Sequence, residues 1–150
     1  MEIPGADEAM LKQPFHGCKA AVFVGERLLT ILRDDKPDIP YPNMWDFPGG
    51  GREGDETPLE TVRREIKEEL GIDVPQAAFV WQRLYPSAHN PEVRNWFFVA
   101  RVDESLVDNI VFGDEGQRWA LMLPEAFFAL ENVIPYYAAR LEEWRSECQA

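Results

Sequence analysis

The sequence predicts an α/β domain with helices layered on one sheet. Three observations carry this expectation. Strand-like runs alternate with helix-like runs along the chain, the pattern of a layered α/β fold. Residues 58–70 combine the end signals and the period of an amphipathic helix. Apolar residues make up 45 % and aromatic residues 12 % of 150, enough for one core and one domain over residues 1–150.

Residues 1–17 carry Pro4, Gly5, Pro14 and Gly17 and read as a loosely structured lead-in. Lys19 to Gly25 reads as a strand, followed by a Gly-Glu turn and a hairpin partner from Arg27 to Arg33. Asp34 to Asn43 contains Pro37, Pro40 and Pro42 and reads as a stiff connecting loop rather than a ligand for a proline-recognition domain. Trp45-Asp46-Phe47 then leads into a sharp turn at Pro48-Gly49-Gly50-Gly51.

The predicted helix over 58–70 has Thr57 as N-cap, Glu60 completing a capping box, and Pro58 at the first helical position. Gly71 supplies the stop. Leu59, Val62, Ile66 and Leu70 form its apolar face. Beyond Pro75, Ala78–Tyr85 and Asn95–Val102 read as strands, with a loop containing Pro86, Asn90 and Pro91 between them. A turn at Gly113–Gly116 precedes a short strand, Arg118–Leu121. A helical stretch from Glu125 to Leu130 and a last amphipathic helix from Pro135 to Cys148 complete the chain.

Composition narrows the function classes. A net charge of −12, with no basic run, argues against a nucleic-acid polymer as partner. A small phosphorylated ligand remains compatible, because a bound divalent cation inverts the local field. No apolar run approaches the roughly 18 residues of a membrane span. Met1 to Gly5 lacks the basic start and apolar stretch of an export signal, so the expected setting is cytoplasmic. Cys18 and Cys148 have no metal-ligand spacing, and Cys18 reads as a residue at the entrance to a strand.

The chemistry concentrates in the predicted helix. Glu68 and Glu69 lie about 60° and about 40° to either side of Glu65, so three carboxylates share one face. Glutamate clusters commonly mark a solvated helix surface, and like charges at this spacing repel by a few tenths of a kcal/mol. A hard divalent cation gives a reason to tolerate that repulsion, since Mg²⁺ prefers oxygen ligands shared with waters and substrate phosphates. The residues ahead of the helix favour this second reading. Gly49-Gly50-Gly51 allows the backbone to approach a ligand closely, Glu56 closes the loop, and Arg64 can orient a neighbouring carboxylate.

Gly50, five residues, Glu56, seven residues, then Arg64-Glu65-Ile66-Lys67-Glu68-Glu69-Leu70-Gly71-Ile72 resembles the Nudix box, Gx5Ex7REUxEExGU with U apolar, at every defined position. Chance would produce such a match at roughly one in 10⁹ per start site, taking average residue usage. Trp45 to Gly50, and Asp114 to Gln117 with Trp119, extend the likeness outward.

The resemblance implies a Nudix-type α/β/α sandwich with a mixed sheet, and hydrolysis of the diphosphate linkage of a nucleoside diphosphate joined to another group. It implies Mg²⁺ or Mn²⁺ bound by Glu65, Glu68 and Glu69, with Glu56 assisting and Arg64 positioning Glu65. The Gly49, Gly50 and Gly51 loop would shape the metal and phosphate site. A further acid from a later loop serves many family members, and Glu115 is the candidate. Which glutamate is the general base stays open.

Nucleoside triphosphates, nucleotide sugars and dinucleoside polyphosphates all remain as substrates. Pro86 lies 14 residues after Ile72, near where ADP-ribose-hydrolysing relatives carry a proline. Those relatives have a longer N-terminal region, so a plain loop proline is the preferred reading. Trp81, Tyr85, Trp96 and Phe97 can stack on a base, although aromatics at strand spacing more often form core. Homodimers are frequent in the family, and no interface stripe in this sequence indicates one. The competing readings are a non-catalytic nucleotide-binding or regulatory module on the same fold, which loss of a box carboxylate would favour, and an acidic domain without a metal site.

Overall fold

The computed structural model describes residues 14–87 and 89–148. Seven strands form one mixed sheet: β1 (Gly17–Val24), β2 (Arg27–Leu32), β3 (Trp45–Asp46), β4 (Gly49–Gly51), β5 (Phe79–Pro86), β6 (Arg94–Val102) and β7 (Arg118–Met122). Among the described residues three helices accompany them: α1 (Pro58–Leu70), α2 (Pro124–Ala129) and α3 (Pro135–Cys148). The main path through the sheet is β3-β2-β1-β6-β5, with β4 pairing to β1 and β7 to β2. β1 and β6 run parallel, and the other pairs are antiparallel.

One edge of β1 is occupied throughout by β6, from Gly17 to Val24. Its other edge is shared: β4 covers Gly17–Lys19 and β2 covers Val22–Val24. Between these partners the Ala20 N–H donates to the Pro48 carbonyl at 2.9 Å. The sheet therefore splits at Ala20 and Ala21, and the segment joining β3 to β4 wedges into the gap.

Alternation along β1 divides the core. Cys18, Ala20 and Val22 face Val62, Ile66 and Leu70 of α1, together with Leu29, Trp96 and Phe98. Ala21 and Phe23 face the other way, toward Phe127 of α2 and Leu141 and Trp144 of α3. The result is the expected α/β/α sandwich. Val62, Ile66 and Leu70 are each completely buried, worth about 1.5–3 kcal/mol apiece in transfer terms.

Helix α1 begins and ends where its sequence predicts. Thr57 Oγ1 accepts from the Glu60 N–H at 3.2 Å, and Glu60 Oε1 accepts from the Thr57 N–H at 2.9 Å. Gly71, at φ 68°, closes the helix by donating to the Lys67 carbonyl at 2.8 Å.

Several expectations change. The lead-in over 1–17 lies largely outside the described residues. From Phe15 onward its end belongs to the fold, since Phe15 is buried and β1 already begins at Gly17. Gly49–Gly51 is a strand rather than only a turn. Three glycines have little β-propensity, so this pairing is imposed by β1 and not by local preference. A 3₁₀ stretch, Glu104–Asn109, follows Asp103, whose side chain accepts from the Ser105 N–H. Pro86 ends β5 at the sheet edge, where the missing N–H is tolerated. No helix among the described residues is long and apolar enough to cross a membrane.

Candidate active site

Four of the five predicted carboxylates meet at the C-terminal half of α1, and the fifth, Glu56, lies outside that cleft. Glu65, Glu68 and Glu69 line one cleft of about 300 Å³ with Gly113, Asp114 and Glu115. Glu115 reaches it because its loop returns along the end of α1. Val111 N–H donates to the Leu70 carbonyl at 2.9 Å and Gly113 N–H to the Glu69 carbonyl at 2.8 Å. A Cβ on Gly113 would lie 2.7 Å from the Glu68 carbonyl oxygen, so only glycine lets the loop lie this close.

The glycine strand presses on the same carboxylates from the sheet. Gly49 N–H donates to Glu69 Oε1 at 2.7 Å. A Cβ on Gly50 would stand 2.5 Å from Cδ of Glu65. Gly49 itself has φ 141°, and a Cβ there would meet the Cys18 carbonyl oxygen at 2.1 Å. Two adjacent glycines are thus needed for different reasons, one for backbone conformation and one for room beside a glutamate.

Arg64 organises the acids beside it. Its Nε donates to Glu56 Oε2 at 2.7 Å and its Nη2 to Glu56 Oε1 at 3.0 Å, a bidentate pair. Nη1 donates to Glu65 Oε1 at 3.0 Å and to Glu68 at 3.2 Å, and Nη2 also reaches the Gly51 carbonyl at 2.7 Å. Glu56 Oε1 further accepts from the Glu53 N–H and the Thr61 hydroxyl. Both Glu56 oxygens are therefore engaged within the protein.

Burial separates the acids electrostatically. Burial pushes the Glu69 carboxyl up to about 7, against the opposing pull of Lys19 and the Gly49 N–H. Glu65 also lies above the ordinary range, because burial outweighs its contact with Arg64. Glu56 moves the other way, held down by its hydrogen bonds to Arg64.

Lys19 and Asp46 stand behind this cleft, and sequence patterning did not single them out as a pair. Lys19 Nζ donates to Asp46 Oδ2 at 2.9 Å and to the Phe47 carbonyl at 3.2 Å. Arg33 reaches the same Asp46 oxygen at 3.3 Å. A second cavity of about 300 Å³ adjoins the first, sharing Glu69 and Glu115 and adding Asp46, Arg33 and Lys36. The aromatic residues considered for base stacking are otherwise employed. Trp81, Trp96 and Phe97 are buried core, and Tyr85 is half-buried with its hydroxyl donating to Glu143.

Among the described residues, no three carboxylate, imidazole or thiol side chains converge into a preformed metal cage. The donor set is nevertheless all oxygen, arrayed along an open cleft. That suits a hard cation which keeps several waters and shares its remaining positions with phosphate.

Both the sequence and the fold find matches among known proteins. The NUDIX domain profile fits residues 18–144, and the chain belongs to that family. Over 101 residues it is 30 % identical to an RNA pyrophosphohydrolase of Bartonella tribocorum, covering 62 % of this chain and 50 % of that protein. The first three curated relatives are spanned over 24 % to 50 % of their own length.

The fold matches a MutT protein from Methanosarcina mazei Go1 with TM-score 0.72 and 20 % identity, covering 93 % of this chain and 99 % of that one. It also matches a bifunctional NMN adenylyltransferase/ADP ribose pyrophosphatase from Francisella tularensis, crystallised with AMP and a manganese ion. There the TM-score is 0.68 and the identity 21 %, over 92 % of this chain and 44 % of that one.

Proposed function

We propose that this chain is a Mg²⁺- or Mn²⁺-dependent pyrophosphohydrolase that cleaves the diphosphate linkage of a nucleoside diphosphate joined to another group. The observation that carries this reading is the gathering of Glu65, Glu68, Glu69, Asp114 and Glu115 in one cleft, adjoining a cavity lined by Arg33 and Lys36. Membership of the NUDIX domain family supports it.

In this reading Glu65, Glu68 and Glu69 hold the cation from the helix, and Glu115 adds a ligand or base from its loop. Glu56 assists through Arg64, whose guanidinium ties Glu56, Glu65 and Glu68 together. Gly49 fixes the orientation of Glu69, and Gly50 leaves space for the Glu65 carboxylate. A bound divalent cation supplies charge neutralisation of the diphosphate and a more acidic water. A carboxylate of the cleft takes the proton of the attacking water. Lys36, a largely exposed side chain, offers a cation to phosphate oxygens on the far side.

Both cysteines are free, which fits a reducing, cytoplasmic setting. All strands among the described residues join one sheet, which supports reading the chain as one domain. A small nucleotide suits a protein of net charge −12 better than a polymer does.

The test is product release from a panel of nucleoside triphosphates, dinucleoside polyphosphates and nucleotide sugars, with Mg²⁺ or Mn²⁺. Wild type is compared with Glu68→Gln and Glu69→Gln. Metal-dependent turnover that collapses in both variants is the expected result. Binding of metal and nucleotide without turnover of any panel member would overturn hydrolysis in favour of a non-catalytic module.

A further inference from the structure

A third cavity, of about 200 Å³, continues from the second and shares Arg33 and Asp46 with it. The three spaces adjoin in series, Glu69 and Glu115 walling the first from the second and the Arg33–Asp46 ion pair the second from the third. Carboxylates line the first, Arg33 and Lys36 the second beside their partners Asp46 and Asp34, and aromatic rings the third.

The rings come from three separate segments. Tyr41 belongs to the proline-rich loop before β3, His89 to the loop between β5 and β6, and Tyr136 to the first turn of α3. Tyr41 lies 5.7 Å from His89 and 5.8 Å from Tyr136, centre to centre, and His89 meets Tyr136 edge-on at 6.3 Å. The Tyr41 hydroxyl and His89 Nε2 are 2.8 Å apart. Two devices hold the group in place. Tyr41 has φ 51° between Pro40 and Pro42, a conformation a side-chain-bearing residue rarely adopts, and Arg33 Nε pins the Pro40 carbonyl at 3.0 Å. Behind the rings the buried Arg140 guanidinium sits 5.3 Å from the Tyr136 ring and 5.5 Å from the Tyr137 ring, and donates to the Pro86 carbonyl.

Two loops and a helix start that bring three rings to a cavity wall, one of them held at positive φ between two prolines, form an arrangement that packing alone does not require. The rings stand too close together to admit a base between them. All three line the cavity, together with Tyr137.

We propose that Tyr41, His89 and Tyr136 form the subsite that stacks the nucleobase of the substrate, with Arg33 and Lys36 spanning the phosphates between base and carboxylates. The proposal rests on the diphosphate-hydrolase reading above. It makes this chain select for a nucleoside at one end of the diphosphate, through a planar π-surface that stacks on aromatic rings.

The experiment measures calorimetric binding to the whole chain, with Mg²⁺, of α,β-methylene-ADP and of base-free methylenediphosphonate. Proteins are wild type, His89→Ala, Tyr136→Leu and, as a control for the cleft, Glu68→Gln. The expected result is that wild type binds the nucleotide at least about tenfold more tightly than the diphosphonate, the scale of one base–aromatic stack. His89→Ala and Tyr136→Leu then lose most of that preference and keep their affinity for the diphosphonate. Glu68→Gln weakens both probes.

His89 is exposed in a loop, so its variant remains informative even where Tyr136→Leu unfolds. Equal binding of the two probes by wild type, or a preference unchanged in His89→Ala and Tyr136→Leu, would overturn the subsite while leaving the diphosphate reading standing. No binding of either probe would overturn the diphosphate reading, and the subsite with it.

Discussion

Glu69 Oε1 accepts a 2.7 Å hydrogen bond from the N–H of Gly49, twenty residues earlier in the chain. This bond ties the glycine strand to the helix and holds one carboxylate of the cleft in a fixed orientation. It also means that changes in the glycine strand are felt by the acids before they are felt elsewhere.

Gly49→Ala and Gly50→Ala should therefore differ in kind. At Gly49 the added carbon meets backbone at 2.1 Å, with φ 141°, so the variant should lose at least about 3 kcal/mol of stability in urea unfolding. At Gly50 the clash is with the movable end of Glu65. That variant should stay within about 1 kcal/mol of wild type in the same unfolding assay. Its metal-dependent turnover should fall about 10- to 100-fold.

The raised Glu69 carboxyl makes the metal-free protein sensitive to pH. An ordinary glutamate titrates near 4.5, whereas this one is pushed up to about 7 by burial. Between those values the folded state holds one proton more than the unfolded state, so stability falls as pH rises through the window. Glu65, shifted the same way, adds to the slope. Glu56 is shifted down and acts in the opposite sense at lower pH. In chelator, wild type should lose on the order of 1–2 kcal/mol from pH 4.5 to 7.5, and Glu69→Gln should lose clearly less. Equal slopes in the two proteins would remove Glu69 as the source.

Arg64→Lys keeps the charge and removes the planar fork that binds Glu56 through two nitrogens while reaching Glu65 and Glu68. Metal affinity, measured by Mn²⁺ titration, should weaken about 10- to 100-fold, the usual cost of losing a group that orients ligands. Wild-type affinity in the lysine variant would show that charge alone suffices.

Lys19→Met should destabilise the fold by about 2–4 kcal/mol, because it leaves the buried Asp46 carboxylate with Arg33 as its one remaining cation among the described residues. Lys19→Met combined with Asp46→Leu should recover part of that loss, since removing both charges leaves neither unpaired. Thermal unfolding of the single and double variants decides the point.

The sequence by itself determined helix α1, its caps and the carboxylates on it. The physical reason is that Thr57, Glu60, Gly71 and the three glutamates act through contacts one helical turn apart, which spacing alone specifies. Strands β1 and β6 were legible as short apolar runs, because strand composition is local even when the partner is not. Only the tertiary structure decided the rest. Gly49–Gly51 became a strand because β1 offered a free edge beside its split, which three glycines do not announce. Glu115, a candidate through the family resemblance alone, and Asp114 entered the cleft because backbone bonds fold their loop onto the end of α1, more than forty residues downstream of that end. Lys19 found Asp46 across 27 residues, and Tyr41, His89 and Tyr136 met from two loops and a helix start. Contacts of that span leave no periodic trace in a single chain, since each residue's neighbours are set by sheet order and loop path rather than by the residues beside it.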